Sequence, residues 1–322
     1  MPTSPTMLSI GTATQDVFLV GGSIFKPICD HGLCFEHLPL GAKLDIDQIV
    51  FSTGGNAMNA AVTFARQGLS SEFMGVIGVE PSGQSVLAAL DREGIGTRYL
   101  VQDAQFETGY STILLAPGGE RTVLRHHAKT VRDDGAPLQL EAIKHADWLY
   151  LSSVGSMSLL EKIVSIAAKN KVRVALNPGT MELAKPAKLR ALLEDIDVLI
   201  ANKEEMQSIV EGTTTEELVR HAKNLVKTVV VSDGPKGAVA ADDRQIVFAG
   251  EYDHVKPVNR LGAGDAFGSG FVAMLAKGED LKTAVTFASA NATSVVMKIS
   301  STAGVLSAGA KLHDMSLQVK SL

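Results

Sequence analysis

With 322 residues, Lys+Arg 30 against Asp+Glu 35 and a net charge of −5, the chain is long enough for one large α/β domain or two modest ones. It has no strongly basic window, which excludes the electrostatic footprint of a nucleic-acid binder. No apolar run reaches the roughly 18 residues that span a bilayer, and the opening MPTSPTMLSIGTATQD has neither the basic nor the apolar region of a secretory leader; the expected location is the cytoplasm. The two cysteines, Cys29 and Cys34, offer no disulfide framework to read and fit a reducing compartment.

Short β-rich runs alternate with helical patterns, the signature of a parallel sheet with crossover helices. In chain order the expectations are a strand at 7–10, an irregular stretch at 18–53 rich in Gly and Pro, a helix at 57–66, a strand at 72–77 and a helix at 85–92. A hairpin signal follows at 108–125, where TGYSTILLA and RTVLR flank Pro117-Gly118-Gly119. Then come strands at 148–152, 172–176, 198–201 and 228–232, interleaved with helices at 159–169, 191–195 and 216–226, and finally helices at 266–275 and 281–296. Four of the strands are continuous apolar or β-branched runs, as expected where both faces are covered. The expected fold is a Rossmann-like, three-layer α/β core. Residues 1–322 read as a single domain, with a small β-rich lid formed from 18–53 and 108–125.

The stretch NRLGAGDAFGSGF, 259–271, raises the chemical question. A dinucleotide fingerprint needs a strand before the glycine turn and another after the helix. Here 252–260 holds Pro257, three charged residues and His254, and two helical stretches follow with no second strand. A Walker A loop needs a lysine that is missing. What remains is a helix start, where Gly262, Ala263 and Gly264 can aim backbone N–H groups at an anion. Asp265 then has two readings: a base that accepts a hydroxyl proton beside that anion hole, or an N-cap for its own helix.

A second glycine stretch, STGGNAMNAAVTFARQG at 52–68, presents Gly54, Gly55, Asn56 and Asn59 at another helix start. Together with GAGD it resembles the two signatures of the ribokinase-like (PfkB) carbohydrate kinases. That resemblance implies the ribokinase-like fold, ATP as phosphoryl donor with Mg²⁺, and a small-molecule acceptor. Residue by residue it implies Asp265 as catalytic base and Gly262, Ala263 and Gly264 as anion hole. It implies Asp16, Gly54, Gly55 and Asn59 as acceptor-binding. On the nucleotide side it implies Asn202 and Glu205 of ANKEE, with Glu205 holding Mg²⁺ through water, and Ser232, Gly234 and Gly237 of SDGPKG. Asn291 is implied beside the adenine. Phosphoryl transfer needs a base, a positive cradle, a metal and a lid, and these residues supply candidates for each. Glu205 has a second reading as the acidic opening of a helix.

The chain departs from the family where D-T-x-G-A-G-D becomes V-N-R-L-G-A-G-D. Asn259 stands in place of an Asp that in several relatives helps hold a monovalent cation, so a K⁺ site is in doubt. Arg260 reads either as a phosphate contact or as an exposed arginine, and Arg121 of the Gly-Glu-Arg turn reads as a site contact or a surface residue. Asn177, at the end of a strand, is an ATP-side candidate. CDHGLCFEH gathers Cys29, His31, Cys34 and His37, and three readings stand: zinc, a histidine contact to substrate, or a lid turn. The spacing is not a common zinc pattern, and strand alternation would divide the set between faces.

The reading is an ATP-dependent kinase acting on a hydroxymethyl group of a small sugar, with a nucleoside as alternative acceptor and a homodimer through the lid. A non-catalytic sugar or nucleotide sensor and an NAD(P)-dependent oxidoreductase are the rivals from other classes. No nucleic-acid or membrane partner is expected.

Overall fold

The run WLYLS, Trp148–Ser152, shows how the core is divided. All five residues are buried, and alternation sends Leu149 and Leu151 into one core and Trp148 and Tyr150 into the other. This strand lies inside a sheet whose two faces are both covered by helices, in a computed structural model that describes residues 4–31, 33–126, 131, 133–250, 255–312 and 314–322. Residues 252–254 of the segment before the glycine loop lie outside the described residues.

Among the described residues the main sheet has ten strands. Seven are parallel, in the spatial order Thr228–Ser232, Val198–Asn202, Arg173–Asn177, Trp148–Ser152, Thr6–Gly11, Ser70–Ile77 and Gly96–Gln102. Ala238–Ala241, Gln245–Ala249 and Leu317–Ser321 extend it antiparallel beyond Thr228–Ser232. One face is covered by helices Met157–Asn170, Pro186–Leu192, Lys203–Ile209 and Thr215–Lys223, which bury Leu160, Ile163, Leu189, Met206 and Leu218. The other is covered by Asn56–Arg66, Ala263–Ala276 and Leu281–Val296 through Phe64, Phe271 and Val285. The three-layer expectation therefore holds, with the six expected strands at its centre.

The differences lie at the edges. Gly96–Gln102 is a half-buried edge strand whose mixed GTRYLVQ pattern has no apolar run. The helix expected at 191–195 starts earlier, at Pro186; a proline that reads as a breaker opens the first turn instead. Its predicted span is the end of that helix plus a 3₁₀ turn, Leu193–Asp195.

The lid begins earlier than 18. Its sheet has the order Gln48–Gly54, Thr14–Val20, Gly109–Leu115, Arg121–His126, and Thr14–Val20 runs antiparallel to the first but parallel to Gly109–Leu115. Asp16 thus lies on the lid itself. A two-stranded ribbon, Ile28–Asp30 with Leu33–Phe35, leaves the lid, and Cys29 is bonded to Cys34 across it. This corrects the expectation of unpaired cysteines. Alternation separates neighbours within one strand, but Cys29 and Cys34 are directly opposite partners in the hairpin and share a face.

Candidate active site

Strands Thr6–Gly11 and Trp148–Ser152 are neighbours, yet the sheet continues from the first to Ser70–Ile77 and from the second to Arg173–Asn177. Such a switch point opens a crevice beyond the carboxyl ends of the strands. Helix Asn56–Arg66 starts there, with Asn56 donating to Ser153 Oγ at 3.1 Å.

The glycine loop forms the facing wall. Gly262 has φ +82° and caps Ala263–Ala276 in the left-handed conformation, where a Cβ would lie 2.8 Å from Ser301 Cα. The helical ladder begins with Ala266 N–H donating to Gly262 O at 2.9 Å, so the N–H groups of Ala263, Gly264 and Asp265 precede it. No side chain caps this helix. A Cβ added at Gly264 would meet nothing within 4 Å; this side of the turn faces open space.

Asp265 turns away from its own backbone. Its Oδ2 accepts a hydrogen bond from Asn59 Nδ2 at 2.7 Å, which removes the N-cap reading. Burial pushes the Asp265 carboxyl up to about 6, held back by the Asn59 hydrogen bond and raised further by the negative fields of Asp16 and Glu205. One turn along both helices, Ser269 Oγ donates to Thr63 Oγ1 at 2.8 Å. The helices are thus fastened at matching i and i+4 positions. Asn59 is buried, and its Oδ1 has no partner among the described residues, leaving an acceptor that is ordinarily satisfied.

Asp16 is buried on the lid, and burial raises its pKa against hydrogen bonds from Thr14, Ser111 and Ser301 and the field of Arg125. Thr14 Oγ1 donates to Asp16 Oδ1 at 3.0 Å. A Cβ on Gly54 would lie 2.1 Å from Asp16 Oδ2, so this glycine is what lets the carboxylate lie against the neighbouring strand. Gly55 is the N-cap of the helix that carries Asn59.

The nucleotide-side candidates collect at the ends of the next strands. Asn202 and Glu205 form a reciprocal capping box: Asn202 N–H donates to Glu205 Oε2 and Glu205 N–H to Asn202 Oδ1, both at 2.9 Å. Burial raises the Glu205 carboxyl. Lys203 lies 3.7 Å from Asp233, which ties ANKEE to SDGPKG. In that turn Ser232 ends its strand, Gly234 opens a 3₁₀ turn, and Gly237 O accepts from Asp233 N–H at 2.9 Å. Asn177 braces two strand ends, donating to Ile200 O at 3.0 Å and accepting from Ser152 Oγ at 3.3 Å.

A model of the pfkB family carbohydrate kinases matches residues 31–308. The chain belongs to this family. It is 30% identical to ribokinase of Haemophilus influenzae over 254 residues, 76% of this chain and 81% of that one. It is 29% identical to 5-dehydro-2-deoxygluconokinase of Bacillus velezensis over 279 residues, 80% of this chain and 83% of that one. Among solved structures, Arabidopsis thaliana ribokinase complexed with ribose and ATP superposes with a TM-score of 0.76 at 21% identity, covering 95% of this chain and 96% of that one. The chain is thus a carbohydrate kinase with the ribokinase-like fold, and its acceptor belongs to the sugar class.

Two residues of this carbohydrate kinase are placed otherwise than expected. Asn291 has no surface open to a ligand: it is 0% exposed, donates to Ala266 O at 2.8 Å and accepts from Leu306 N–H at 2.8 Å. It fastens the two last helices rather than bordering adenine. Asn259 is also fully buried. Its Oδ1 accepts from Leu261 N–H at 2.9 Å, and its amide nitrogen faces Leu261 O and Ser300 O at 3.4 Å each. A neutral amide that turns its N–H donors toward these carbonyls offers a cation neither charge nor an oxygen beside them, so Asn259 as placed does not fit a K⁺ ligand.

The zinc reading of CDHGLCFEH fails because the sulfurs are bonded to each other. His31 pairs with the exposed Asp30 and His37 packs edge-on to Phe35. Among the described residues no group of three or more His, Cys, Asp or Glu is arranged to hold a metal. One carboxylate, Glu205, fits a Mg²⁺ that arrives with nucleotide phosphates, since that ion keeps waters and takes few protein ligands. Arg260 makes an exposed ion pair with Glu120 of the lid turn at 3.5 Å. No helix among the described residues is long and apolar enough to cross a membrane.

Thr14, Ser111 and Ser301 around Asp16 were not singled out in the sequence; Ser/Thr on lid strands read as ordinary β formers. Tyr150, whose buried hydroxyl lacks a partner among the described residues and whose pKa burial raises, also lies in the field of Asp265 and Glu205. It reads from sequence only as core. Glu182 was missed too. It is buried and accepts from Gly155 N–H at 2.7 Å and Gly179 N–H at 2.9 Å, bracing two loops at the crevice.

Proposed function

We propose that this kinase transfers the γ-phosphoryl group of ATP to a hydroxymethyl group of a small sugar, with Asp265 as the base. The observation that carries the reading is the Asn59–Asp265 contact at the switch point. It holds a carboxylate of raised pKa beside helix-start N–H groups that have no ladder partner. A base near 6 is ionised at neutral pH and still basic enough to take a proton from an attacking hydroxyl. The N–H groups of Ala263 and Gly264 stabilise charge on the transferring group. Asp16 orients acceptor hydroxyls from the lid, and Asn59 offers its free carbonyl oxygen to another. Glu205 holds the Mg²⁺ that neutralises phosphate charge, and Ser232, Gly234 and Gly237 form the nucleotide wall. With ATP as donor the reaction belongs in the cytoplasm.

The same reading includes a homodimer. Ile49 and Phe51 of the lid are 50% and 73% exposed, and Leu124 is 58% exposed. By register Phe51, Val17, Thr112 and Leu124 share one row, on the face opposite Asp16. Val17 is buried within this row, but the exposed Ile49, Phe51 and Leu124 on its face leave apolar surface that fits a second copy.

The test is ADP release in the presence of sugars and nucleosides, with Asp265→Asn as control. A wild-type rate that depends on acceptor and disappears in the variant supports the assignment. Acceptor-dependent ADP release that persists at the wild-type rate in Asp265→Asn overturns it.

A further inference from the structure

The acceptor side of the crevice carries positive charge that a neutral sugar does not require. Sheet register places Ser52, Asp16, Ser111 and Arg125 in one row across the four lid strands. All four side chains therefore rise from one face. Neighbouring strands are about 4.8 Å apart, so Arg125 stands roughly 10 Å from Asp16 at the backbone, and a long side chain covers much of that gap.

The guanidinium acts on the Asp16 carboxyl through its field, but no ion pair joins them. Arg125 has no ion-pair or hydrogen-bond partner among the described residues, and the next residues, 127–130, include no carboxylate. Two rungs along the same strand and face lies Arg121, opposite Leu115; its Nε is buried without a partner among the described residues. By contrast, Arg260 is paired with Glu120. The nucleotide-side residues sit on strands Val198–Asn202 and Thr228–Ser232, at the other half of the sheet, so the lid arginines face the acceptor.

We propose that the acceptor is an acidic sugar, bearing a carboxylate or a phosphate away from the hydroxyl that is phosphorylated, and that Arg125 binds this anion. The proposal rests on the kinase reading above. A guanidinium fork matches either anion with two parallel N–H bonds. Asp16, two strands away, repels that end and takes the hydroxyls between. The anion orients the acceptor and takes no part in the transfer. The acceptor oxygen bonds the γ-phosphorus as the bond from that phosphorus to the ADP oxygen breaks, and the hydroxyl proton passes to Asp265.

The experiment measures ADP release with three sets of acceptors: D-ribose and D-fructose; D-gluconate, 2-dehydro-3-deoxy-D-gluconate and 5-dehydro-2-deoxy-D-gluconate; and D-ribose 1-phosphate and D-fructose 6-phosphate, which keep a free hydroxymethyl group. The expected result is a kcat/KM for one acidic set about a hundredfold above the best neutral sugar. In Arg125→Gln that preference falls about a hundredfold, mainly through KM for the acceptor, while Arg125→Lys restores part of it. KM for ATP stays within about twofold in both variants. Preference for a neutral sugar, or a rise in KM for ATP in place of the acceptor, overturns the proposal and leaves the kinase reading intact. Absence of turnover with every acceptor overturns both.

Discussion

Asn59 reaches Asp265 across 2.7 Å from a helix more than two hundred residues away in sequence. The bond lowers the pKa of Asp265 while burial raises it. The amide orients the carboxylate and keeps it ionisable near neutral pH. Asn59→Leu removes the lowering influence, so the acid limb of kcat/KM should move above pH 6, with a loss of about 10- to 100-fold at pH 7. A pH–rate profile identical to the wild type would refute the coupling.

Asp265→Asn should reduce kcat by about 10²- to 10⁴-fold and make the protein more stable. A carboxyl whose folded pKa is raised from 3.8 to about 6 gives full stability below the unfolded value and loses it as pH rises through the folded one. The variant should therefore match the wild type near pH 4 and exceed it above pH 6, by on the order of 3 kcal/mol. Thermal unfolding at the two pH values checks this; equal Tm shifts at both would contradict it.

Asn259 makes the carbonyls of Leu261 and Ser300 acceptors of N–H rather than ligands of an ion. Turnover should thus vary by less than about twofold when K⁺ is replaced by Na⁺ or tetramethylammonium at constant ionic strength. Asn259→Asp removes both donors and places a carboxylate beside two carbonyls, so that variant should lose activity without K⁺ and regain it with K⁺. Strong activation of the wild type by K⁺ is the opposing outcome.

The outer lid face gives a prediction about mass. Light scattering should report twice 34.0 kDa for the wild type and a single chain for Phe51→Glu with Leu124→Glu. A wild-type monomer would dissociate the lid face from self-association.

The central strands were legible because a strand covered on both faces must be apolar at every position, as WLYLS is. The glycine motifs were legible because a helix start that exposes N–H groups tolerates few other residues. Gly96–Gln102 and Leu317–Ser321 were hidden, since partial burial leaves mixed patterns that resemble loops, and Ala238–Ala241, though fully buried, is four residues of mostly alanine, a weak strand signal. Asn291 and Asn259 show another limit. An amide at a motif position has the right chemistry for a ligand and for a brace, and only the fold reveals that Ala266, Leu306, Leu261 and Ser300 are its partners. Cys29 and Cys34 were misjudged because register across a hairpin is invisible to a pattern read along one strand.

The contact between Glu120 and Arg260 joins two separate parts of the chain, the turn before strand Arg121–His126 and the segment just before Gly262. Exposed pairs of this kind contribute at most about 1 kcal/mol, so the latch lets go at thermal cost and re-forms as easily. Salt screens such an exposed pair, so the tie between the lid and the glycine loop slackens as ionic strength rises.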